Sequence, residues 1–489
     1  MSILHTEKQP APSLHETPND SRTSNFFFVL GIIALSFLAC LPLLNSKLIS
    51  THEQILPIVR SASVYKFLGD GQILTRWVPD LSRGYGLPLF NFYPPLFFYI
   101  ASAFTFAGVG LVSSVNYACI FLWIGSGLAM YLLAKEFFGK YGAFVSAIAY
   151  VYAPYHIVDL YVRGAVAEFT TFSLFPLILW SFYRQAKKSS HLYIVLGALS
   201  LGLLLISHNI MALIFTPVAL AYIFFLYGTN AENKNNALFS NLASFALGIM
   251  LSAFFWLPAL IEKKFVYVGT GIMTSGGYNY LNHFVYLHQL LNPKWGYGWS
   301  LPGKEDGMSF QIGLVHILMA VASLFIIRRI LKRSTAIGAH VIFFIALSLV
   351  MIFFTTSLSS PFWKTLPLLD LVQFPWRFLT FVALAVSFLS GSIFFVIRNK
   401  KIKKLTFLIL TTLIVFINLP FCKPQEYFTE IKDTSTLPFA YLNNPQISAF
   451  AYYFGEYTPL WVKTAPPSPS PQQLEVLEGN ATITDVERK

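Results

Sequence analysis

The chain has 489 residues, 55% of them hydrophobic and 11% charged, with a mean hydropathy of +0.59 and a formal net charge of +12. A soluble globular chain carries about 25% charged residues, so an ordinary soluble domain is excluded, and no alternation of barrel-strand length is present. The positive excess sits in three short gaps between apolar runs: Arg184, Lys187 and Lys188; Arg328, Arg329, Lys332 and Arg333; and Arg398 with Lys400, Lys401, Lys403 and Lys404. That pattern follows the positive-inside rule for cytoplasmic loops and gives no reason to expect nucleic-acid binding.

Residues 1–24 are polar and read as a cytoplasmic segment. The run Asn25–Leu44 follows a long hydrophilic lead and has no small-residue cleavage site, so it predicts a retained anchor rather than a cleaved signal. Residues 45–92 are too polar to span. Apolar runs then recur at 93–109, 112–134, 142–158, 168–183, 191–206, 210–227 and 238–261. Such runs suit helices in a ~30 Å hydrocarbon core, where backbone groups must be satisfied within the segment. The stretch 262–308 is rich in Gly, Tyr and Asn and interrupts the series. Runs at 309–327, 336–357, 378–397 and 405–421, with a loop at 358–377, complete a membrane domain over 25–421. The tail 422–489 is soluble in character and holds a proline-rich linker at 465–473. Cys40, Cys119 and Cys422 show no paired or metal-type spacing.

With the basic gaps in the cytoplasm, the loops 262–308 and 358–377, the gap Ser207–Asn209, the loop around Asp159 and the tail are all external. Twelve runs would put both termini on one side and residues 45–92 inside, opposite the other long loops. An odd number, 11 or 13, places the N-terminus in the cytoplasm and the tail outside. Either the short, proline-started run at 94–108 is re-entrant or a break adds a span.

Ionisable residues at membrane depth or at helix mouths are costly and therefore candidates for function. The first polar region holds His52, Glu53, Arg60, Asp70, Arg76 and Asp80. Glu53, just past the first span and next to His52, is placed to bind a divalent ion or act as a general base; a solvated loop acid is the plainer reading. Tyr93 ends an aromatic stretch that suits either an interfacial belt or a stacking surface for sugar rings. Asp159, Arg163 and Glu168 lie between two apolar runs with little polar padding, which implies a cavity or mutual pairing. His208 and Asn209 interrupt an apolar stretch, marking a helix hairpin or donors to an anion. Trp295 belongs to a segment, 286–298, with interfacial-helix and turn signals. Arg377 at a helix start opposes the macrodipole, so it calls for a partner or an anionic ligand unless it snorkels.

The stretches RWVPDLSRGYGLPLFNFYPPL (76–96), APYHIVDLYVRGAVAEF (153–169), LNPKWGYGWS (291–300), DGMSFQIG (306–313), LVQFPWRFL (371–379) and EYTPLWV (456–462) together resemble a bacterial family of integral membrane proteins labelled "6-pyruvoyl-tetrahydropterin synthase-related". Nothing here matches the histidine trio of the soluble pterin enzyme. The family in turn is similar to the GT-C superfamily of membrane glycosyltransferases, which take a sugar from a polyprenyl-phosphate lipid on the external face.

The resemblance implies an all-α polytopic fold, a GT-C-like bundle of about 11 to 13 transmembrane helices, with a long first external loop and a short external tail. It implies a multi-pass protein of the bacterial cytoplasmic (inner) membrane that transfers a hexose or pentose to an envelope acceptor. Glu53, assisted by His52, would be the catalytic acid of the first loop, where the superfamily commonly has Asp. Asp159 would be a second acid near the donor phosphate. Arg163, Glu168, Tyr93, His208, Trp295 and Arg377 would bind substrate. A divalent cation, Mg or Mn, on Glu53 and Asp159 is the implied cofactor. A transporter or lipid flippase, or a non-catalytic assembly protein, are the alternative readings.

Overall fold

The computed structural model describes residues 18–74, 76–188, 190–229, 234–268, 279–428, 431, 433–434 and 455–464. The proline-rich linker 465–473 and residues 1–17 of the polar N-terminal segment lie outside these residues.

α1 (Pro18–Ala39) carries the first apolar run, after which the chain builds a layer from α2 (Leu56–Gly69), α3 (Leu89–Phe92) and α4 (Leu96–Phe106). α5 (Leu111–Val151) is a helical hairpin. Gly139 sits at φ 68°, ψ −178°, a conformation open essentially to glycine alone, and the chain reverses there. The return arm lies against the first, so that Trp123 Nε1 donates to the Val151 carbonyl at 3.0 Å. It ends in α6 (Pro154–Val158) and one π-helical turn, Asp159–Arg163.

The chain continues through α7 (Val166–Lys187), α8 (His191–Leu205), α9 (Asn209–Thr229), α10 (Lys234–Leu251) and α11 (Ala253–Glu262), the last two bent by 62° at their junction. A short α12 (Leu287–Leu291) precedes α13 (Leu314–Arg333) and α14 (Thr335–Thr355). Two small helices, α15 (Ser360–Thr365) and α16 (Pro367–Asp370), lead to a span over Pro375–Val396 that contains α17 (Leu379–Ser390) and α18 (Ile393–Val396). α19 (Lys400–Asn418) is the last membrane helix, and the sheet among the described residues is the antiparallel pair Leu48–Ile49 with Tyr427–Phe428.

Among the described residues, seven helices are long and apolar enough to cross a membrane, and the bent α10–α11 pair makes eight. Counting the shorter apolar part of α1 (Asn25–Ala39), α8 and the return arm of the α5 hairpin as spans brings the total among the described residues to eleven. α4 is not one of them. The N–H of Leu96 at its start donates to the Ile206 carbonyl in the α8–α9 turn. Its other end leads to Leu111, whose N–H donates to the Thr434 carbonyl just past the last membrane helix. Both ends of α4 therefore lie on one side. On that count the twelve apolar runs comprise eleven spans and one helix, α4, whose two ends lie on one side.

The three basic clusters share one end of the bundle, where Arg184 pairs with Glu136 at 3.3 Å beside the Gly139 reversal. The layer of α2, α3 and α4 covers the opposite end, and there the site is built.

Candidate functional site

The first loop is fastened to the π-helical turn by its backbone. The N–H groups of His52 and Glu53 donate to the carbonyls of Val162 and Arg163, both at 3.0 Å. This approach requires Gly164, at φ 65°: a Cβ there would lie 2.1 Å from Thr51 Oγ1. The strand pair Leu48–Phe428 and Ile49–Tyr427 holds the other side of the loop. Glu53 is thereby delivered beside the Asp159–Arg163 turn, although more than 100 residues separate them in the chain.

Two clusters of charge result. In the outer one, Arg60, one helical face along α2, pairs with Glu53 at 3.3 Å and lies over the Tyr93 ring at 4.0 Å. Burial pushes the Tyr93 phenol up to about 12, against the nearby Arg60 charge.

In the inner cluster, Arg163 contacts Asp159, Glu168 at 2.9 Å and the Tyr155 hydroxyl at 3.2 Å, and it lies over the Trp376 ring at 4.5 Å. Arg377 reaches Glu168 at 3.4 Å and donates to the Val372 carbonyl and to Gln373 Oε1. Tyr155 and Thr380 donate to the other oxygen of Glu168. Glu168 is fully buried, and two guanidiniums compensate it, as a buried carboxylate requires. Arg377 has thus found the partner that its unfavourable place at a helix start demanded. Burial and the Glu168 charge raise the Asp159 carboxyl above the ordinary carboxylate range, against the pull of Arg163. Its Oδ2 is buried without a hydrogen-bond partner.

Both clusters open on one cavity of about 1350 Å³. His52, Glu53, Tyr93, Arg163, Glu168, His208 and Arg377 line it, so seven of the nine sequence-selected residues are brought together. Asp159 is fully buried behind Arg163, off the cavity wall. Trp295 also lies off that wall: its ring stacks on Phe421 with centroids 4.6 Å apart. Trp299, four residues on, lines the cavity instead and stacks on His52 at 4.0 Å. His52 bonds through Nε2 to the Tyr297 carbonyl rather than to Glu53, and burial lowers its pKa. His208 occupies the α8–α9 turn and accepts the Met211 N–H at Nδ1, while Asn209 donates to the Phe92 carbonyl.

The sequence marks Arg60 as one of the ionisable candidates of the first loop but assigns it no specific role, and it assigns none to Trp299, Trp376 or Glu456; all four are on the cavity wall. Arg60 had a signal in its charge alone, since Glu53 precedes α2 across a turn at Gln54, φ 49°. Glu456 had none beyond its place in the EYTPLWV stretch.

Glu53 and Asp159 do not fit a shared divalent cation in this arrangement. Each already holds a guanidinium, and among the described residues no three His, Cys, Asp or Glu converge as metal ligands.

The cavity's far wall is apolar. Leu205, Ile210, Leu213, Trp256 and Leu260 of α8, α9 and α11 form it. A smaller groove lined by Leu201, Phe245 and Ile249 shares Leu205, Thr216 and Trp256 with it and continues between the helices. One space therefore joins a guanidinium-lined end to a hydrocarbon-lined end.

Among solved structures, the chain is similar to the archaeal oligosaccharyltransferase AglB from Archaeoglobus fulgidus, in complex with an inhibitory peptide and a dolichol-phosphate. The TM-score is 0.53 at 12% identity, over 94% of this chain and 62% of that one. ArnT from Cupriavidus metallidurans bound to undecaprenyl phosphate aligns with a TM-score of 0.46 at 12% identity, over 81% of this chain and 64% of that one. An uncharacterized protein of Lactococcus lactis subsp. cremoris (strain MG1363) is 24% identical over 250 residues, 49% of this chain and 40% of the relative. The chain thus spans less than two thirds of the length of these proteins. The archaeal likeness shows the fold, a GT-C-like helical bundle. A family model described as "6-pyruvoyl-tetrahydropterin synthase related domain; membrane protein" matches residues 90–422, more than half of the chain. The chain belongs to that family of membrane proteins.

Proposed function

We propose that the protein is a glycosyltransferase that takes a sugar from a polyprenyl-phosphate carrier and passes it to an envelope acceptor on the outer face of the cytoplasmic membrane. One observation carries this reading: a single cavity with guanidiniums at one end and an apolar wall running between membrane helices at the other. A polyprenyl phosphate has those two halves, a phosphate that suits the planar donors of arginine and a long apolar chain. The basic clusters at the opposite end of the bundle support an external cavity, by the positive-inside rule. A site at one surface, rather than at the midplane between inverted repeats, disfavours a transporter.

In this reading Arg163 and Arg377 meet the phosphate as the bond to the sugar breaks, stabilising the charge that develops on the leaving oxygen. Glu168 holds both guanidiniums in place. Glu53, tethered by Arg60, orients the acceptor, and Tyr93 and Trp299 offer faces to sugar rings. No step is routed through a metal ion.

The test is binding of undecaprenyl phosphate to the full-length chain in nanodiscs, with turnover of a panel of undecaprenyl-phosphate-linked hexoses and pentoses. Arg377→Ala is expected to lower turnover by about 100-fold or more and to weaken lipid binding, with Arg377→Lys intermediate. Equal binding of undecaprenol and its phosphate would sink the reading.

A further inference from the structure

The chain beyond the last membrane helix comes back to the cavity. Over residues 455–464 it is fastened to the loop after α11: the Leu460 N–H donates to the Phe265 carbonyl at 2.9 Å, and the Tyr267 N–H donates to the Thr458 carbonyl at 3.2 Å. The Tyr267 hydroxyl shares its one proton between the Leu460 and Val462 carbonyls, and Thr458 Oγ1 accepts the Gly455 N–H to close the turn. This turn sets Tyr457 against Phe92, with ring centroids 5.7 Å apart and planes within 6°. Glu456 and Tyr457 become part of the cavity wall, on the side of Arg60, Glu53 and Tyr93.

Three carboxylates, those of Glu53, Glu168 and Glu456, line the reacting space, and two of them are held in ion pairs. Glu53 pairs with Arg60, and Glu168 with both Arg163 and Arg377, while Asp159 lies behind Arg163, off the wall. Each such contact stabilises the anion and weakens it as a base. Glu456 forms no ion pair among the described residues; its side chain is hydrogen-bonded to neutral Tyr457 rather than to a guanidinium. Burial also raises its carboxyl above the usual range, the direction that suits proton transfer at neutral pH.

Resting on the transferase reading above, we propose that Glu456 is the general base that takes the proton of the acceptor hydroxyl. The proton passes to a Glu456 carboxylate oxygen, and the hydroxyl oxygen forms its bond to the anomeric carbon. The bond from that carbon to the phosphate oxygen breaks, and its electron pair leaves on the polyprenyl phosphate, opposite Arg163 and Arg377. Acceptor and donor supply every atom, and Glu456 ends the step protonated.

The experiment uses the full-length chain in nanodiscs, the panel of undecaprenyl-phosphate sugars, and native membrane extract as the source of acceptor. Glu456→Gln is expected to lower turnover by about 100-fold or more, with undecaprenyl phosphate affinity kept within about twofold of wild type. Preserved lipid binding shows that the variant is folded. Glu456→Asp is expected to recover part of the rate and to keep the acidic limb of the pH–rate profile, which Glu456→Gln loses and Glu53→Gln retains. A Glu456→Gln protein with turnover within about threefold of wild type, or with its acidic limb intact, overturns the assignment while the transferase reading stands. A wild-type protein silent across the panel overturns both.

Discussion

Two membrane spans of the same length, 22 residues each, have opposite surroundings. In Val166–Lys187, which is α7, 89% of the apolar window is buried inside the protein; in Lys400–Phe421, which contains α19, the figure is 11%. The buried span is the less apolar of the two, and it carries Glu168, the fully buried acid that joins Arg163 and Arg377. A helix wrapped by other helices can hold a charge because protein donors replace water. A helix facing lipid cannot. Hydropathy identifies both as spans, but the polar residues it penalises mark which one forms the interior of the site.

The largest effect that would test this contrast is the loss of the interior charge. Glu168→Ala leaves two buried guanidiniums, Arg163 and Arg377, without their shared partner. Breaking a buried pair by removing one partner costs about 3–5 kcal/mol, so a large fall in Tm in detergent is expected, with loss of undecaprenyl phosphate binding. Glu168→Gln, which keeps acceptor and shape, should lose binding with a smaller fall in Tm. An unchanged Tm for Glu168→Ala would mean that the arginines are satisfied by water, and that α7 is not a dry interior helix.

An intermediate effect comes from His208, at the inner wall between α8 and α9. Its Nδ1 accepts the Met211 N–H, which requires the ring to be unprotonated there, and burial lowers its pKa from 6.5 to about 3. The unfolded chain therefore binds a proton below pH 6.5 that the folded chain refuses until about pH 3. Folded-state stability from this group is complete above pH 6.5 and falls as the pH drops through that window, by about 1.4 kcal/mol per pH unit. His208→Asn keeps an acceptor for the Met211 N–H and removes the titration. Tm measured from pH 7 to pH 4.5 should fall less steeply in this variant than in wild type; parallel curves would show that His208 is solvated.

Much of the fold was legible because bilayer physics writes it in long apolar runs and charged gaps. Every run holds a helix, and the proline-started run at 94–108 is α4, which returns to its own side. The reversal at Gly139 falls in the gap between the runs at 112–134 and 142–158. The site was legible where an ionisable residue interrupts apolar sequence, as at Arg163, Glu168, His208 and Arg377. It was not legible where tertiary approach decides. Trp295 and Trp299 share one motif, yet the backbone pairing of Gly298 with Gly307 sets one ring against Phe421 and the other on the cavity wall. Glu456 reaches the cavity only because the tail pairs with residues 265–267, nearly 200 positions earlier, a contact that no local pattern encodes.

The smallest expected effect lies on the lipid-facing helix. Leu408 of α19 is 62% exposed. A core Leu→Ala change costs about 2–5 kcal/mol through lost burial and a cavity, but at Leu408 hydrocarbon from lipid or detergent takes the place of the missing methyl groups. Leu408→Ala should therefore shift stability by no more than about 0.5 kcal/mol, with turnover unchanged. This small number is the sharper half of the comparison. If Leu408→Ala instead destabilised the protein like a core deletion, the outer face of α19 would be packed against another protein surface in the membrane. The burial contrast between α7 and α19 would then describe one chain of an assembly rather than the boundary between protein and lipid.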